Sequence, residues 1–283
     1  MKSAPFEFVR AASIGEACEV LKREGDAVKV VAGGQSLMPM MAMRLVRPAW
    51  LLDINEIAAL KFIAPEREAV RIGACTRQCV TERDDALASS VPLLRQALAW
   101  VGHAQTRNRG TIGGSLVHAD PCAELPLAAQ VLEAKLVLRS AAGSRTVAAA
   151  AFFSGPMMTQ TSAEECLEEV LWPIWNERRT ASAFTEISTR HGDFAMVSAA
   201  AQIALGDDGR CVRAAFGLGG VGQTPLAFPK LARRLVGSTL DEQVLKSVAH
   251  DAAAESEPGN DLFATADYRR HLAQVLAGRV LRA

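Results

Sequence analysis

Two glycine pairs constrain this 283-residue chain more than any other feature. The first lies in Ala32-Gly33-Gly34-Gln35-Ser36 and the second in Thr111-Ile112-Gly113-Gly114-Ser115. Glycine lets the backbone adopt positive φ and approach a ligand closely. Successive amides in such a turn form a concavity that binds anions. We therefore predict that both segments are turns and that together they hold the two phosphates of a dinucleotide.

Neither segment has the spacing of the common nucleotide-binding motifs. A Rossmann site requires GxGxxG and a P-loop requires GxxxxGK[ST], and neither glycine segment contains these patterns. A single Gly-Gly turn most often only reverses the chain. The prediction of a binding site therefore depends on the two segments acting together.

The first sixty residues have the pattern of a βαβ unit. Ser13-Ile14-Gly15-Glu16 is a capping box that begins a helix, and Gly25 is a typical helix end. Strands are expected at Val28 to Val31, just before the first glycine segment, and at Trp50 to Ile54. A short apolar helix is expected from Leu37.

The rest of the chain divides into a mixed α/β unit and a terminal α+β unit. The mixed unit contains a helix from Pro92, a polar glycine-rich stretch from His103 to Pro121 and a helix from Ala123 to Leu132. A hairpin follows it. In the last third, three strands precede a series of helices, which is typical of an α+β unit. Those strands are expected at Phe184 to Ser188, Met196 to Leu205 and Cys211 to Leu218.

Charge and cysteine spacing exclude several classes of protein. Lys plus Arg and Asp plus Glu each number 31, so the basic excess of a typical nucleic-acid-binding protein is missing. The six cysteines are scattered, and the close pair Cys75 and Cys79 has no second pair beside it. We therefore expect no iron–sulfur or zinc site on this chain. With no secretory leader and no apolar run of ~18 residues, we expect a soluble, cytoplasmic protein.

Nothing in the sequence has the pattern of a catalytic triad or of a paired-carboxylate acid–base site. No catalytic residue is therefore predicted. Asp120-Pro121 has two interpretations: Asp120 begins a turn, or it binds hydroxyls of a ligand. His118 is likewise either a structural histidine or a proton carrier that titrates near neutral pH.

The segments around the glycine pairs carry a family resemblance. Residues 32–39 and 107–121 closely resemble the FAD-binding medium subunit of the carbon monoxide dehydrogenase and xanthine dehydrogenase family of molybdenum hydroxylases. Further matches occur at residues 190–195 and 268–272, so the resemblance covers the whole chain. It implies an FAD-binding domain of the PCMH type at residues 1–176, with a βαβ subdomain at about 1–57 and a mixed α/β subdomain at about 58–176. A C-terminal domain with a three-stranded antiparallel sheet and helices is implied at residues 177–283.

The resemblance also implies positions for a bound cofactor. The two glycine segments would surround the FAD pyrophosphate and the adjoining ribityl chain. Glu124 matches an acidic position that contacts the cofactor, and Leu167 matches an apolar position beside the flavin. Two residues depart from the family pattern. Ser115 replaces a frequent Asn, and Phe194 replaces a Tyr that covers one flavin face, which gives the hypothesis that oxygen reactivity is altered.

The function implied is electron transfer through non-covalent FAD to an external acceptor. The resemblance places a molybdenum pterin cofactor on a large partner subunit and two [2Fe–2S] clusters on a small one, in a dimer of heterotrimers. Two alternatives stay open: a stand-alone flavin oxidoreductase of the same fold, and a nucleotide-binding scaffold subunit. The substrate (carbon monoxide, an aldehyde, an N-heterocycle or a purine) stays open as well.

Overall fold

A computed structural model describes residues 2–283 of the chain. Within this range the strands form three main sheets, of three, five and four strands, and one two-stranded ribbon. Each main sheet is built from one consecutive part of the sequence. The predicted succession of a βαβ unit, a mixed unit and an α+β unit is confirmed.

The N-terminal unit is a parallel sheet with strand order β1-β3-β2. Its elements are β1 (Glu7–Arg10), α1 (Ile14–Glu24), β2 (Val28–Val31), α2 (Leu37–Ala42) and β3 (Trp50–Asp53). The predicted capping box begins α1: the Glu16 amide donates to Ser13 Oγ at 3.1 Å, and Glu16 Oε2 accepts from the Ala12 amide at 2.8 Å. The helix ends at Gly25, whose φ is 54°. Because parallel strands end at the same edge, the loops after β1, β2 and β3 lie together.

The middle unit is an antiparallel sheet with strand order β4-β5-β10-β6-β7, covered by helices. Its first half comprises β4 (Ile63–Pro65), β5 (Ala69–Gly73), α3 (Gln78–Arg83), α4 (Asp85–Ser90), α5 (Pro92–Leu98), α6 (Ala104–Arg109) and α7 (Ile112–His118). Its second half comprises α8 (Glu124–Val131), β6 (Lys135–Ser140), β7 (Gly143–Ala148), α9 (Ala149–Phe152), β8 (Phe153–Gly155), β9 (Met158–Thr159) and β10 (Cys166–Pro173). The central strand β10 and the helices within residues 103–121 were not predicted.

The C-terminal unit is an antiparallel sheet followed by helices. Its elements are β11 (Arg179–Ile187), β12 (Val197–Leu205), β13 (Cys211–Gly219), β14 (Leu226–Ala227), α10 (Pro229–Arg233), α11 (Glu242–Ala254) and α12 (Ala266–Arg282). The three predicted strands are confirmed, and the two-residue β14 adds a fourth.

Both faces of the C-terminal sheet are covered. Val197, Ala199 and Ala201 of β12 pack against α10–α12, whereas Ala200 lies in the core that contains α5 and α8. A Cβ atom at Gly217 would lie 2.8 Å from the Val131 side chain of α8. Small residues on this face therefore let α8 approach the sheet closely and bury the interface between the middle and C-terminal units.

Candidate functional site

The two glycine segments meet in the fold. A Cβ atom at Gly33 would lie 2.5 Å from the carbonyl oxygen of Arg109 and 2.8 Å from the Cα atom of Gly110. Distances below 3.0 Å essentially do not occur for real Cβ atoms. Glycine at position 33 is therefore what allows the loop after β2 to contact the segment that precedes α7, and this contact joins the N-terminal unit to the middle unit.

The first glycine segment is a turn between β2 and α2, as predicted. Gly34 has φ of 71°, in the left-handed region that favours glycine. Gln35 Nε2 donates to the Gly33 carbonyl at 3.1 Å, which stabilises the turn. Among the described residues 2–283, the Gly34, Gln35 and Ser36 amides donate no backbone hydrogen bond. Three successive donors are therefore available to an anionic ligand.

The second glycine segment is not a turn, so that prediction was wrong. Thr111 is the N-cap of α7, and its Oγ1 accepts from the Gly114 amide at 3.0 Å. The Ile112 and Gly113 amides donate to the Thr76 and Ala74 carbonyls at 3.0 and 2.9 Å. These amides are therefore already bonded within the protein. Thr111 is only 1% exposed, so the group that the segment offers a ligand is the half-buried Ser115 hydroxyl.

Gly113 is required for packing rather than for an unusual backbone conformation. A Cβ atom there would lie 2.6 Å from the Cβ atom of Ala74, at the end of β5. The close approach holds α7 against the middle sheet. Gly114, by contrast, is exposed.

A polar network that the sequence analysis missed fixes the two segments relative to each other. Asn55 Nδ2 donates to the Ala32 carbonyl at 2.6 Å, and Asn55 Oδ1 accepts from Arg77 Nη2 at 2.7 Å. Arg77 also donates to the Arg109 carbonyl. Asp53 accepts from Asn55 Nδ2 at 2.7 Å and from Arg10 Nε at 3.0 Å. The signal available in the sequence was polar residues directly after a parallel strand, where α/β sheets bind ligands.

Asp53 is the acidic centre of this network and is 7% exposed. Burial by itself raises the pKa of a carboxyl group. Hydrogen bonds from Asn55 and Arg10 outweigh that effect and hold the pKa of Asp53 below its usual range. The carboxylate therefore stays charged and keeps Asn55 oriented towards both segments.

A cavity of about 570 Å³ opens beside the first glycine segment. Phe8 and Arg10 of β1, the Ala32 to Gln35 loop, Asp53 and Arg109 contribute to its walls. The cavity thus begins where the two glycine segments meet and extends over the carboxyl ends of the parallel strands. Its size lies within the range of small-molecule and cofactor sites.

The other end of α7 leads to Asp120 and Glu124. Ala119 has φ of 52° and ends the helix, and Asp120 Oδ1 then accepts from the Cys122 amide at 2.8 Å. Asp120 therefore does form a turn. Glu124 begins α8 and is 8% exposed. Burial raises the pKa of Glu124 to about 7, the Asp120 charge adds to this effect, and Arg107 opposes it.

Phe194 lies on the loop between β11 and β12 and is 71% exposed. Two contacts hold this loop on the middle unit. The His191 ring meets Trp100 edge-on at 5.6 Å between ring centroids. The His103 ring occupies the space that a side chain at Gly192 would need. Both histidines therefore brace the loop that carries Phe194.

Leu167 lies inside the middle unit rather than on its surface. It lies on β10, is 4% exposed and belongs to the core of the middle unit. Its strand packs against α7, so Leu167 supports that helix from the core side. Among residues 2–283, no group of three or more potential metal ligands is present, and no helix is long and apolar enough to cross a membrane.

Comparison with known protein families decides the identity of this site. Residues 4–175 match the model of the FAD binding domain in molybdopterin dehydrogenase. Residues 182–283 match the CO dehydrogenase flavoprotein C-terminal domain. The chain belongs to the FAD-binding subunits of the molybdenum hydroxylases. It is therefore an oxidoreductase flavoprotein subunit.

Individual relatives are similar to this flavoprotein subunit over nearly their whole length. It is 34% identical to the 6-hydroxypseudooxynicotine dehydrogenase complex subunit alpha of Paenarthrobacter nicotinovorans, covering 99% of this chain and 95% of that one. The solved carbon monoxide dehydrogenase of Hydrogenophaga pseudoflava superposes with a TM-score of 0.97 at 33% identity, covering 100% of this chain and 98% of that chain. The solved quinoline 2-oxidoreductase of Pseudomonas putida 86 superposes with a TM-score of 0.94 at 36% identity, covering 100% of this chain and 97% of that chain.

The geometry of the flavoprotein subunit fits the FAD of its family. A dinucleotide needs hydrogen-bond donors for its pyrophosphate and, beside them, a cavity with both apolar and polar walls for at least one of its two ends. The free amides of Gly34 to Ser36 and the adjoining cavity satisfy both requirements. A side chain at Gly33 would push apart the two segments between which these features meet.

Proposed function

We propose that the subunit binds FAD non-covalently across the junction of its two glycine segments. The observation that carries this proposal is the contact of Gly33 with Arg109 and Gly110, which places three unbonded amides next to the second segment. The free amides of the Ala32 to Ser36 segment and the Ser115 hydroxyl then bind the pyrophosphate and the start of the ribityl chain. Thr111, as the buried N-cap of α7, and Ile112, Gly113 and Gly114 keep that hydroxyl in position.

The cavity and the loops at the far end of α7 then receive the two ends of the cofactor. The cavity over β1–β3 suits the adenosine, because it opens directly from the first glycine segment. The seven-residue α7, about 10 Å long, leads from the pyrophosphate site to the flavin end. There Asp120 and Glu124 supply polar contacts, Phe194 supplies an aromatic face, and Leu167 supports α7 from below.

The biochemical role that follows is electron transfer between partner chains and an external acceptor. FAD, when bound, accepts electrons one at a time and releases them in pairs, which suits a junction between one-electron clusters and a two-electron acceptor. The chain's own residues bind, orient and shield the cofactor. The scattered free cysteines support an arrangement with [2Fe–2S] clusters on a small partner and the molybdenum pterin cofactor on a large one.

The diversity of the relatives supports a substrate site on another chain. Relatives with 34% identity are parts of enzymes named for 6-hydroxypseudooxynicotine, glyceraldehyde and carbon monoxide. Three substrates so different in size and polarity share no binding chemistry. Equal similarity to all three is expected of a chain that handles only electrons.

We further propose a cytoplasmic dimer of heterotrimers in which the C-terminal domain, from residue 177 onwards, contacts the iron–sulfur partner. The apolar face of α12 is buried in its own domain. Leu262 and Phe263 are 99% and 70% exposed, and Asp261 beside them bonds Arg269, which also donates to the Met196 carbonyl near Phe194. This apolar loop therefore lies on the side of the domain that carries Phe194.

Purification of the chain with its native partners tests these proposals together. Flavin and iron–sulfur absorption with bound molybdenum, and release of the flavin by acid precipitation, are the expected results. Flavin alone with turnover of its own substrate would support the stand-alone oxidoreductase. A colourless complex would contradict both and leave the scaffold subunit.

A further inference from the structure

A second acidic residue lies buried behind Glu124. Glu186 on β11 is 3% exposed, and neither of its carboxyl oxygens has a hydrogen-bond partner among the described residues. The residue opposite it on β12 is Ser198, which is completely buried and whose Oγ also has no partner there. Buried polar groups are nearly always hydrogen-bonded, so an unpaired carboxyl group of this kind requires an explanation.

The position of this pair is set by strand register and by close packing. Ser198 is opposite Gly219 of β13, and a side chain at Gly219 would collide with Ser198 Oγ and lie 3.5 Å from the Pro121 carbonyl. The Gly220 amide donates to that same carbonyl at 3.0 Å. Glu186 and Ser198 therefore face the Asp120 to Glu124 segment, on the sheet face that packs against α8.

The electrostatic surroundings favour a protonated acid at Glu186. The charged group that affects Glu186 is Glu124, which is also an acid and therefore opposes ionisation of Glu186. Its neighbours on the adjacent strands, Ser198 and Gly219, carry no charge. Burial, followed by the Glu124 charge, raises the pKa of Glu186 to about 8. Two further charges affect Glu124: Asp120 raises its pKa and Arg107 lowers it. Two adjacent buried carboxyl groups without a cation between them cannot both ionise cheaply.

We propose that Glu186 is a proton-holding residue that supplies Glu124 during reduction of the bound flavin. This inference rests on the proposed function, because it needs FAD beside Glu124. When two electrons arrive from the one-electron donor chain, the Glu124 carboxyl gives one proton to the flavin, and the Glu186 carboxyl passes its proton to Glu124. Glu186 is then ionised. When the two-electron acceptor removes the electrons, the proton returns by the same route.

The first test uses the wild-type complex with its native partners. Infrared difference spectra between oxidised and dithionite-reduced enzyme at pH 7 should show loss of a carboxylic-acid carbonyl band that shifts in ²H₂O. The band should be absent in Glu186→Gln and present in Ser182→Ala, a control on the same strand and the same face. A flavin-containing wild type without this band overturns the proposal, whether or not the variants fold.

The second test measures the rate of flavin reduction against pH. Wild type should keep about half of its rate at pH 8, where about half of Glu186 is protonated. Glu186→Gln should be slower than wild type by about fivefold at pH 8, since pH 8 is one unit above the pKa of Glu124 and leaves roughly a tenth of that acid protonated. At pH 6 the two should agree, and Glu186→Asp should restore the wild-type profile. Identical profiles with full flavin content contradict the relay. Absence of flavin from the wild type would instead contradict the proposed function.

Discussion

Replacing Gly33 by alanine tests the junction on which the cofactor site depends. The new Cβ atom would lie 2.5 Å from the Arg109 carbonyl oxygen and 2.8 Å from the Gly110 Cα atom. Both neighbours are backbone atoms, so no side-chain rotation relieves the contact. To reach even 3.0 Å the two segments must separate by about 0.5 Å, and such overpacking costs about 1–3 kcal/mol.

That cost falls on FAD binding, because the ligand contacts both segments. With about 1.4 kcal/mol for each factor of ten, Gly33→Ala should weaken FAD binding roughly 5- to 150-fold. The assay is the ratio of FAD to polypeptide after gel filtration, together with the dissociation constant from flavin fluorescence. The matched control is Gly259→Ala, because nothing lies within 4 Å of a Cβ atom at that position. Wild-type affinity in Gly33→Ala, with the fold intact, would refute the assignment of the site to this junction.

Three further predictions concern other parts of the site. Asn55→Ala removes the hydrogen bonds to Ala32 and Arg77. The buried groups left unpaired should lower the free energy of unfolding by about 1–3 kcal/mol, which lowers the melting temperature and the FAD content. An unchanged melting temperature would disprove the network. Between pH 4.5 and about 7, Glu124 keeps its proton in the folded state and has lost it in the unfolded state, so the free energy of unfolding falls as pH rises through this window. In FAD-free protein, Glu124→Gln should be more stable than wild type by up to about 3 kcal/mol at pH 7 and equally stable at pH 4. Urea unfolding at the two pH values measures the difference. Phe194→Tyr should change oxygen consumption by the reduced complex, and equal rates in an oxygen electrode would end that hypothesis.

Local sequence signals predicted the elements whose stability is local. The Ser13 capping box and the Gly25 helix end both lie within a few residues of the helix that they define. The hairpin of β6 and β7 and the long strands of the C-terminal sheet follow the same rule. In each case the sequence contains both partners of the interaction within a short distance.

The missed features depend on partners far away in the sequence. Glu168 and Glu169 interrupt the apolar pattern of β10, yet in the fold they pair with Arg139 at 3.0 Å and Arg71 at 2.6 Å. The helix that contains Gly113 is held against the segment after β5, because its first amides bond to the Thr76 and Ala74 carbonyls and because the contact with Ala74 leaves room only for glycine. Glycine content alone favours a turn, so the predicted local structure was wrong although the segment was correctly placed beside the first.

The site predictions divide in the same way. The two glycine segments were found because their composition is unusual, and the fold brings them together. Asn55 was not found, because its place after a parallel strand does not show that it bonds the Ala32 carbonyl and Arg77. Glu186 was not found either, since only the strand register and the packing of α8 reveal that it is buried without a partner.

The contact of Gly33 with Arg109 has a consequence for the order in which the protein matures. The two residues belong to units that share a core containing Cys75 and Cys166, so the contact forms only after both units have been synthesised and have docked. Until then the free amides of the first glycine segment have no second wall against which to hold a dinucleotide. Cofactor uptake is therefore a late event. Because FAD binds only the docked arrangement, its binding free energy stabilises that arrangement. Chain from cells short of riboflavin should therefore be cut by protease between residues 57 and 63 faster than the same chain loaded with FAD.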